Sequence, residues 1–207
     1  MVDDHPLVRE WLRVLIDSQA DLEVCGEAED APSAMSGIAE TKPELAIVDL
    51  SLSKGSGIDL IKDLRKCQPE VAIVVLSMHD ESFYAERALR AGAKAYVVKR
   101  ETTSQILAAV RCVLSGGIYL NPRFATELTQ KFVAGGGGGS PAELLSDREL
   151  EVFRLLGQGQ TTSFIAATLS INLKTVQAYC ARIKEKLGLN NASELLRAAT
   201  RWQDQGV

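Results

Sequence analysis

The stretch LAIVDLSLSKGSGIDLIKDL, residues 45–64, carries the pattern that decides the fold. It opens with Leu45–Asp49, a short apolar run with β-branched members that is typical of a strand buried on both faces. A loop rich in glycine and serine follows, and Ile58–Leu64 then shows apolar residues at helical spacing. A buried strand that leads through a loop into an amphipathic helix indicates an α/β fold with a parallel sheet.

The same alternation extends to both sides of this stretch. Other short apolar runs typical of strands lie at Leu22–Ala28, Val71–Ser77 and Ala95–Lys99. Further helical patterns lie at Leu7–Ile16, Phe83–Leu89 and Ile106–Leu114, and in the first of them we expect the core to be faced by Leu7, Trp11, Leu12 and Leu15. Only Met1 and Val2 precede Asp3, fewer than the roughly five residues of an ordinary strand, so we expect the sequence to begin inside its first strand. Five such βα units predict a doubly wound, five-stranded parallel sheet with ligand sites at the carboxyl ends of its strands.

Composition limits the classes of protein that fit. The 207 residues, 46% of them hydrophobic, suffice for one or two domains. No apolar run reaches the roughly 20 residues of a membrane span, and no signal peptide pattern opens the chain, so we expect a cytoplasmic protein that does not enter a membrane. The cysteines are scattered without a CxxC pair, which favours buried, reduced thiols over disulfides or a zinc site; they are Cys25, Cys67, Cys112 and Cys180.

A glycine run marks a boundary between two parts of different charge. Gly135–Gly139 is followed by Ser140 and Pro141, a composition that predicts a flexible tether, although an engineered insertion would look the same. From Ala142 onward 8 Lys and Arg stand against 7 Asp and Glu, whereas the preceding part has 15 against 20. We therefore expect a first domain at residues 1–121, a connecting helix and glycine-rich linker at 122–145, and a small all-α domain at 146–207.

The last part of the chain contains four helix-start signals. Ser146 with Glu149, and Asn191 with Glu194, have the spacing of capping boxes. Thr161 or Thr162 can cap a second helix and Asn172 a third. Short helices with a helix-turn-helix in the middle are typical of a small DNA-binding module.

Polar residues stand where the predicted strands of the first domain end. Asp3 and Asp4 follow the first strand, Asp49 ends the third, and the next two strands end in Ser77 and Lys99. The carboxyl ends of parallel strands share one edge of a sheet, so we expect the three carboxylates to converge and to favour a hard cation such as Mg²⁺. Asp49 would then be a carboxylate nucleophile that accepts a phosphoryl group, with a hydroxyl from Ser77 and an ammonium from Lys99 to bind it.

These segments resemble the receiver domains of two-component response regulators. The resemblance is carried by MVDDHPLVRE, VDLSLSKGSGIDL, VVLSMHDE and AGAKAYVVKRE, and it implies a flavodoxin-like receiver. By that resemblance Asp49 is the phosphoacceptor, Asp3, Asp4 and the Ser51 carbonyl hold Mg²⁺ with it, and Tyr96 joins Ser77 as a switch residue. Ser53 departs from the family, in which proline is common at that position.

Residues 145–199 are similar to the LuxR-type helix-turn-helix of the NarL/FixJ response regulators. The third helix is the most basic element of the chain. Its charge alone would equally fit cations that only solvate an exposed helix, and it is the resemblance of the surrounding motif that favours DNA. The residues expected at DNA are Thr162, Ser163, Lys174, Thr175, Gln177, Ala178, Arg182, Lys184 and Lys186. Phe164 and Tyr179 depart from the family's usual Glu and His, and we expect Trp202 to pack between helices.

Three functions of different classes fit these patterns. The leading hypothesis is a phosphorylation-controlled transcription regulator whose partners are a sensor histidine kinase, double-stranded promoter DNA, a second copy of the active chain and RNA polymerase. A phosphatase of the haloacid dehalogenase type would need an acid two residues after its nucleophile, where this chain has Ser51, so we expect a phosphate acceptor and not an enzyme. A receiver that acts only through protein partners is disfavoured by Lys174 and Gln177.

Overall fold

The computed structural model describes residues 1–52, 56–78, 82–133, 141–169 and 171–205. The chain divides into two compact units, Met1–Val133 and Ala134–Val207. The expected tether at Gly135–Gly139 with Ser140, and the departure at Ser53, lie outside the described residues.

The first unit is built on a parallel sheet, as predicted. Its strands are β1 (Leu45–Val48), β2 (Ala72–Ser77), β3 (Ala95–Val98) and β4 (Tyr119–Leu120), in the order β1-β2-β3-β4. All neighbouring strands are parallel. Val2 adds isolated parallel bridges to Val48 and to Ala28.

The strand count differs from the predicted five. Among the described residues the sheet has four strands, and Leu22–Ala28 pairs only through Ala28. The first two of the five predicted strands are joined to the sheet by isolated bridges of Val2 to Ala28 and to Val48, and not by a continuous ladder. β4 was not predicted, since two residues are too few to show a periodic pattern.

The described part of the first unit also contains six helices. They are α1 (Pro6–Asp17), α2 (Ala31–Thr41), α3 (Gly57–Cys67), α4 (Ser82–Ala91), α5 (Thr103–Leu114) and α6 (Pro122–Val133). α2 was not among the predicted helical patterns, although it had a sequence signal: Asp30 caps it by accepting a hydrogen bond from the Ser33 N–H at 3.0 Å. α6 is the last element of the unit.

Two expectations about burial are wrong. α1 faces the core with Leu12 and Ile16, whereas Leu7 is 79% and Trp11 38% exposed. At about 100° per residue, Leu7 lies roughly 140° around the helix from Leu12, so the two cannot share one face. The cysteines are free, as expected, but they are not buried: two are exposed, Cys25 and Cys67, and two are half-buried, Cys112 and Cys180.

The second unit is helical. Its helices are α7 (Pro141–Leu144), α8 (Asp147–Gly157), α9 (Thr162–Thr168), α10 (Leu173–Leu187) and α11 (Ala192–Gln205). The predicted caps are confirmed, with Thr161 chosen over Thr162 for α9 and Asn172 for α10. α8 and α11 approach closely at Gly157, where a Cβ atom would lie 2.6 Å from the Ala199 carbonyl oxygen. No helix in the described parts of either unit has the length and apolarity to cross a membrane.

Candidate functional site

Two of the predicted carboxylates meet at the carboxyl edge of the sheet. Val2 pairs with Val48, so the next residue on each segment, Asp3 and Asp49, is brought to the same place. The Asp49 N–H donates to the Val2 carbonyl at 2.9 Å, which fixes the two segments side by side. Both aspartates are only 2% exposed. Two buried like charges need a cation, because desolvated carboxylates repel.

Lys99 supplies a cation within the chain. Its Nζ lies 2.6 Å from Asp3 Oδ2 and 2.7 Å from Asp49 Oδ2. β2 positions it, since the Lys99 N–H donates to the Ser77 carbonyl at 2.7 Å. One ammonium therefore neutralises part of a site with two buried carboxylates, and the site retains negative charge.

The ionisation of these groups reflects burial and mutual attraction. Burial raises the pKa of Asp49, and the nearby charge of Asp3 raises it too, although Lys99 acts in the opposite direction. Burial opposes the charge of Lys99, but attraction to Asp49 and hydrogen bonds to both aspartates raise the Lys99 pKa above its ordinary value. The ammonium stays charged, and Asp49 has a desolvated carboxylate whose negative charge is costly to hold.

Asp4 and His5 extend the cluster toward solvent. One ligand atom from each of Asp3, Asp4, His5 and Asp49 lies within 4.8 Å of the others. Asp4 Oδ1 is buried and has no hydrogen-bond partner in the described part of the chain, although His5 Nδ1 is 2.8 Å away. The carboxylate oxygens of Asp3, Asp4 and Asp49 are the kind of ligands that a hard dication such as Mg²⁺ prefers. His5 was not among the predicted site residues, although its position directly after Asp3 and Asp4 could have indicated it.

The loop after β1 is held close to Asp49. The Ser51 N–H donates to Asp49 Oδ1 at 3.3 Å. α3 begins immediately below, and a Cβ atom on Gly57 would collide with the Asp49 carbonyl oxygen. Glycine at this position lets the helix start against the backbone of the acidic residue.

Ser77 and Tyr96 lie on neighbouring strands and are fully buried. Ser77 ends β2 and is in register with Val98, the residue before Lys99. The Tyr96 ring packs edge-on against Phe124 of α6, with ring centroids 5.5 Å apart and an angle of 73° between the planes. The structure thus places Ser77 beside Lys99 and puts Tyr96 under α6.

In the second unit, α10 presents an exposed polar surface. Val176 and Ile183 are buried, and the exposed residues of the helix include most of those predicted to meet DNA: Lys174, Gln177, Ala178, Arg182 and Lys186. Arg182 also lies 6.0 Å from the centre of the Tyr179 ring, within reach of a cation–π contact. Lys184 and Thr175 are half-buried, and the Thr175 hydroxyl donates to the capping Asn172 at 3.0 Å.

α9 offers a smaller group of predicted contacts. Ser163 is exposed and Thr162 half-buried at its first turn, and Phe164 is 52% exposed. Trp202 lies on α11 with its ring 5.7 Å from that of Phe153, which supports its expected packing role.

Lys186 has a partner within its own unit, which sequence reasoning did not find. Its Nζ is 2.6 Å from Glu149 Oε2, and the Glu149 side chain is 3% exposed. Burial alone would raise the pKa of Glu149, but hydrogen bonds from Lys186 and Ser146 hold it below its ordinary value. The pair ties α8 to α10, so Lys186 stabilises the unit whatever it does at DNA.

We expect Lys186→Ala to lower the free energy of opening of α8 and α10 by about 1–2 kcal/mol at neutral pH. A fully buried pair would cost about 3–5 kcal/mol, but the Lys186 side chain is 42% exposed and is partly screened. The pKa of Glu149 is lower in the folded chain than in the unfolded chain, where it is about 4.3. The stabilisation is therefore present at pH values above about 4.3 and is lost as the pH falls through the pKa of Glu149 in the folded chain. Hydrogen exchange of the α8 and α10 amides in the full chain, at several pH values, measures it.

Lys184→Ala is the matched control for that measurement. Both substitutions remove one lysine near the end of α10, but the described contacts show a buried carboxylate partner only for Lys186. Equal protection of α8 and α10 in the two variants would contradict a stabilising role for the pair.

Both units match known families. Residues 1–111 match the response regulator receiver domain, and residues 143–199 match the bacterial regulatory proteins of the luxR family. The chain is 34% identical over 205 residues to the oxygen regulatory protein NreC of Staphylococcus carnosus (strain TM300), a match that covers 96% of this chain and 94% of the relative.

Solved structures of response regulators are similar to this chain, one over nearly all of it and one over part of it. RcsB from Salmonella enterica serovar Typhimurium, bound to promoter rprA in the presence of the phosphomimetic BeF₃⁻, shares 28% identity and a TM-score of 0.61, with 96% of each chain covered. A LuxR-family two-component response regulator from Aurantimonas sp. SI85-9A1 shares 34% identity and a TM-score of 0.60 over 64% of this chain and 94% of its own.

A receiver-type parallel sheet with an acidic edge, followed by a helix-turn-helix unit, defines the two-domain response regulators. This chain belongs to their NarL/FixJ family, the DNA-binding transcription regulators that phosphorylation controls.

Proposed function

We propose that Asp49 is the residue that carries the phosphoryl signal. The observation that supports this role is the contact of its Oδ2 with Lys99 Nζ at 2.7 Å, in a buried site that also contains Asp3. A carboxylate that is desolvated and backed by one cation is poised to accept an electrophilic phosphorus atom. A sensor histidine kinase is the phosphodonor that the family implies.

We propose Mg²⁺ as the cofactor of this site. Its ligands would be the carboxylates of Asp3, Asp4 and Asp49 and the backbone carbonyl of Ser51. Mg²⁺ bound there would neutralise negative charge on the phosphoryl oxygens. The observation that supports a cation in addition to Lys99 is the cluster of three carboxylates, Asp3, Asp4 and Asp49, in which the described contacts of Lys99 are with Asp3 and Asp49.

The transfer would proceed at one carboxylate oxygen. A bond forms from an Asp49 oxygen to phosphorus as the bond from phosphorus to the imidazole nitrogen of the kinase breaks, and the imidazole is the leaving group. Lys99 would move its pairing from the Asp49 carboxylate to a phosphoryl oxygen, and the Ser77 hydroxyl would donate to another. Ser51 stands where a phosphatase of the alternative class has its second acid, so we assign no turnover chemistry to this site.

The second unit would bind promoter DNA through α10. Lys174, Gln177 and Ala178 lie near the exposed N-terminal end of that helix, where side chains of a recognition helix reach base edges. Phosphate contacts would come from Thr162, Ser163, Thr175, Arg182, Lys184 and Lys186, which position the unit without reading sequence.

We further propose that the active form is a homodimer in the cytoplasm, with RNA polymerase as a partner at promoters. The solved RcsB structures support this reading of the family, since one of them contains two RcsB dimers bound to two parallel DNAs. One small DNA-binding unit contacts few phosphates, and two units would double the contacts.

Selection of bound DNA from random oligonucleotides tests the proposal as a whole. The full chain is incubated with Mg²⁺, with or without beryllofluoride, and bound sequences are compared. We expect a repeated half-site to be enriched, and to be enriched more strongly with beryllofluoride. The Asp49→Asn variant should show no response to beryllofluoride, and the absence of any enriched sequence from the wild-type chain in both conditions would refute DNA recognition.

A further inference from the structure

Helix α6 covers the buried aromatic residue of β3. Phe124 is 2% exposed and its ring meets that of Tyr96 at 5.5 Å. The chain reaches α6 directly from β4, in which Leu120 is the register partner of Tyr96. The start of the helix is therefore attached to Tyr96 through both the backbone and a side chain.

A second contact joins α6 to the loop after Lys99. Asn121, the residue before the helix, donates its Nδ2–H to Glu101 Oε1 at 2.9 Å. The Asn121 Oδ1 accepts from the Arg123 N–H at 2.9 Å, so the same side chain also holds the first turn. Glu101 Oε2 is buried without a hydrogen-bond partner among the described residues, which leaves Asn121 as the described hydrogen-bond donor to this carboxylate. A carboxylate that depends on one neutral donor is sensitive to small shifts of that donor.

The two contacts lie on either side of Lys99 in the sequence. Tyr96 precedes it by three residues and Glu101 follows it by two, and the Glu101 N–H donates back to the Val98 carbonyl at 2.9 Å. Any change in the position of the Lys99 segment is therefore shared with both contacts of α6.

We propose that α6 is the element that reads the state of the phosphorylation site, through Phe124 on Tyr96 and Asn121 on Glu101, and passes it to the chain that leads to the DNA-binding unit. This inference rests on the proposed function of Asp49. A phosphoryl group on Asp49 gives Lys99 a new anionic partner, and the Lys99 segment moves with it. Because α6 ends at Val133, the last residue of the first unit, a shift of α6 moves the starting point of the segment that follows.

The first experiment compares the full chain with two variants. Phe124→Leu keeps an apolar group in the buried position but removes the ring contact, and Asn121→Asp keeps the oxygen that caps the helix but places a carboxylate against Glu101. The measurements are hydrogen exchange of the α6 amides and DNA affinity, each with and without beryllofluoride in Mg²⁺. In the wild type we expect beryllofluoride to change α6 protection and to raise DNA affinity by about 5- to 150-fold, the usual range of coupling between sites.

In both variants we expect beryllofluoride to change DNA affinity by no more than about twofold. Labelling by acetyl phosphate should stay at the wild-type level. Gln130→Ala, an exposed change on the same helix, is the control and should keep the full response. Variants that respond as strongly as the wild type would overturn the inference. Failure of the wild type to be labelled would instead refute the phosphoacceptor role, so the two failures are distinguishable.

A polarity swap separates the proposed contact from a general loss of stability. In the double variant Asn121→Asp, Glu101→Gln, the new amide can donate to the new carboxylate, and the Asp oxygen can still cap α6. We expect the double variant to regain most of the response that Asn121→Asp loses. A double variant as unresponsive as the single one, with α6 protected from exchange as in the wild type, would show that the Asn121–Glu101 contact does not carry the signal.

Discussion

Asn in place of Asp49 should abolish labelling of the chain by radiolabelled acetyl phosphate in Mg²⁺. An amide is not a nucleophile toward phosphorus, and it is a weaker ligand than a carboxylate for a hard cation. Lys99→Ala should slow labelling by about 10²-fold, the usual cost of removing one group that stabilises developing charge. Incorporated label is measured on the full chain over time, with Mg²⁺ and with a chelator.

The fold should survive the Asp49→Asn change, which makes the loss of labelling interpretable. Burial raises the pKa of Asp49, so a neutral side chain relieves part of the cost of a desolvated charge, and Lys99 keeps Asp3 as a partner. We expect a melting temperature no lower than that of the wild type. Asp59→Asn is the matched control, because it makes the same chemical change at an exposed carboxylate on α3. Equal labelling of the wild type and the Asp49→Asn variant would remove Asp49 from its proposed role.

The acidic site could be predicted because it depends on topology more than on detail. Asp3, Asp49 and Lys99 each follow an apolar run, and parallel strands bring such positions to one edge whatever the exact strand lengths. The sequence could not show that Lys99 contacts both aspartates, nor that His5 lies 2.8 Å from Asp4, because these contacts depend on side-chain rotamers. Helix α6 was expected, but its packing on Tyr96 was not, since a T-shaped ring contact between β3 and α6 leaves no periodic pattern.

Other misses follow from contacts that are distant in sequence. The core-facing side of α1 was misjudged because Leu7 and Trp11 are as apolar as Leu12, and only the packing in three dimensions selects among them. Lys186 was assigned to DNA from its charge and helix alone. Its ion pair with Glu149 crosses 37 residues of sequence and joins α10 to α8. The helix caps were predicted correctly because they depend on contacts between residues that are close in sequence. Asn172 and Thr175, for example, are three residues apart.

DNA binding should be dimeric, salt-sensitive and directed to two half-sites. A single module of this size buries roughly 600–1,000 Å² on DNA, which gives marginal affinity alone. Two modules linked by a dimer gain effective concentration for the second contact. A two-fold dimer then requires half-sites that repeat at about one helical turn, roughly 10 bp. Footprints of the full chain with beryllofluoride would show this spacing directly.

Substitutions on α10 separate base reading from phosphate contact. Gln177→Ala should relax base preference at one position in each half-site at a cost of about 1–3 kcal/mol for the preferred base, because an exposed amide near the start of the helix can pair with adenine. Lys184→Ala should weaken binding to all DNA sequences alike and flatten the dependence of log affinity on log salt by about one per subunit.

Lys186→Ala is unsuitable for that comparison, since it also breaks the pair with Glu149. Lys66→Ala, which removes an exposed cation from the first unit, should leave the salt slope unchanged. A single half-site bound by a monomer, with an affinity that neither Gln177→Ala nor Lys184→Ala alters, would contradict both the dimer and the assignment of α10 as the helix that reads DNA.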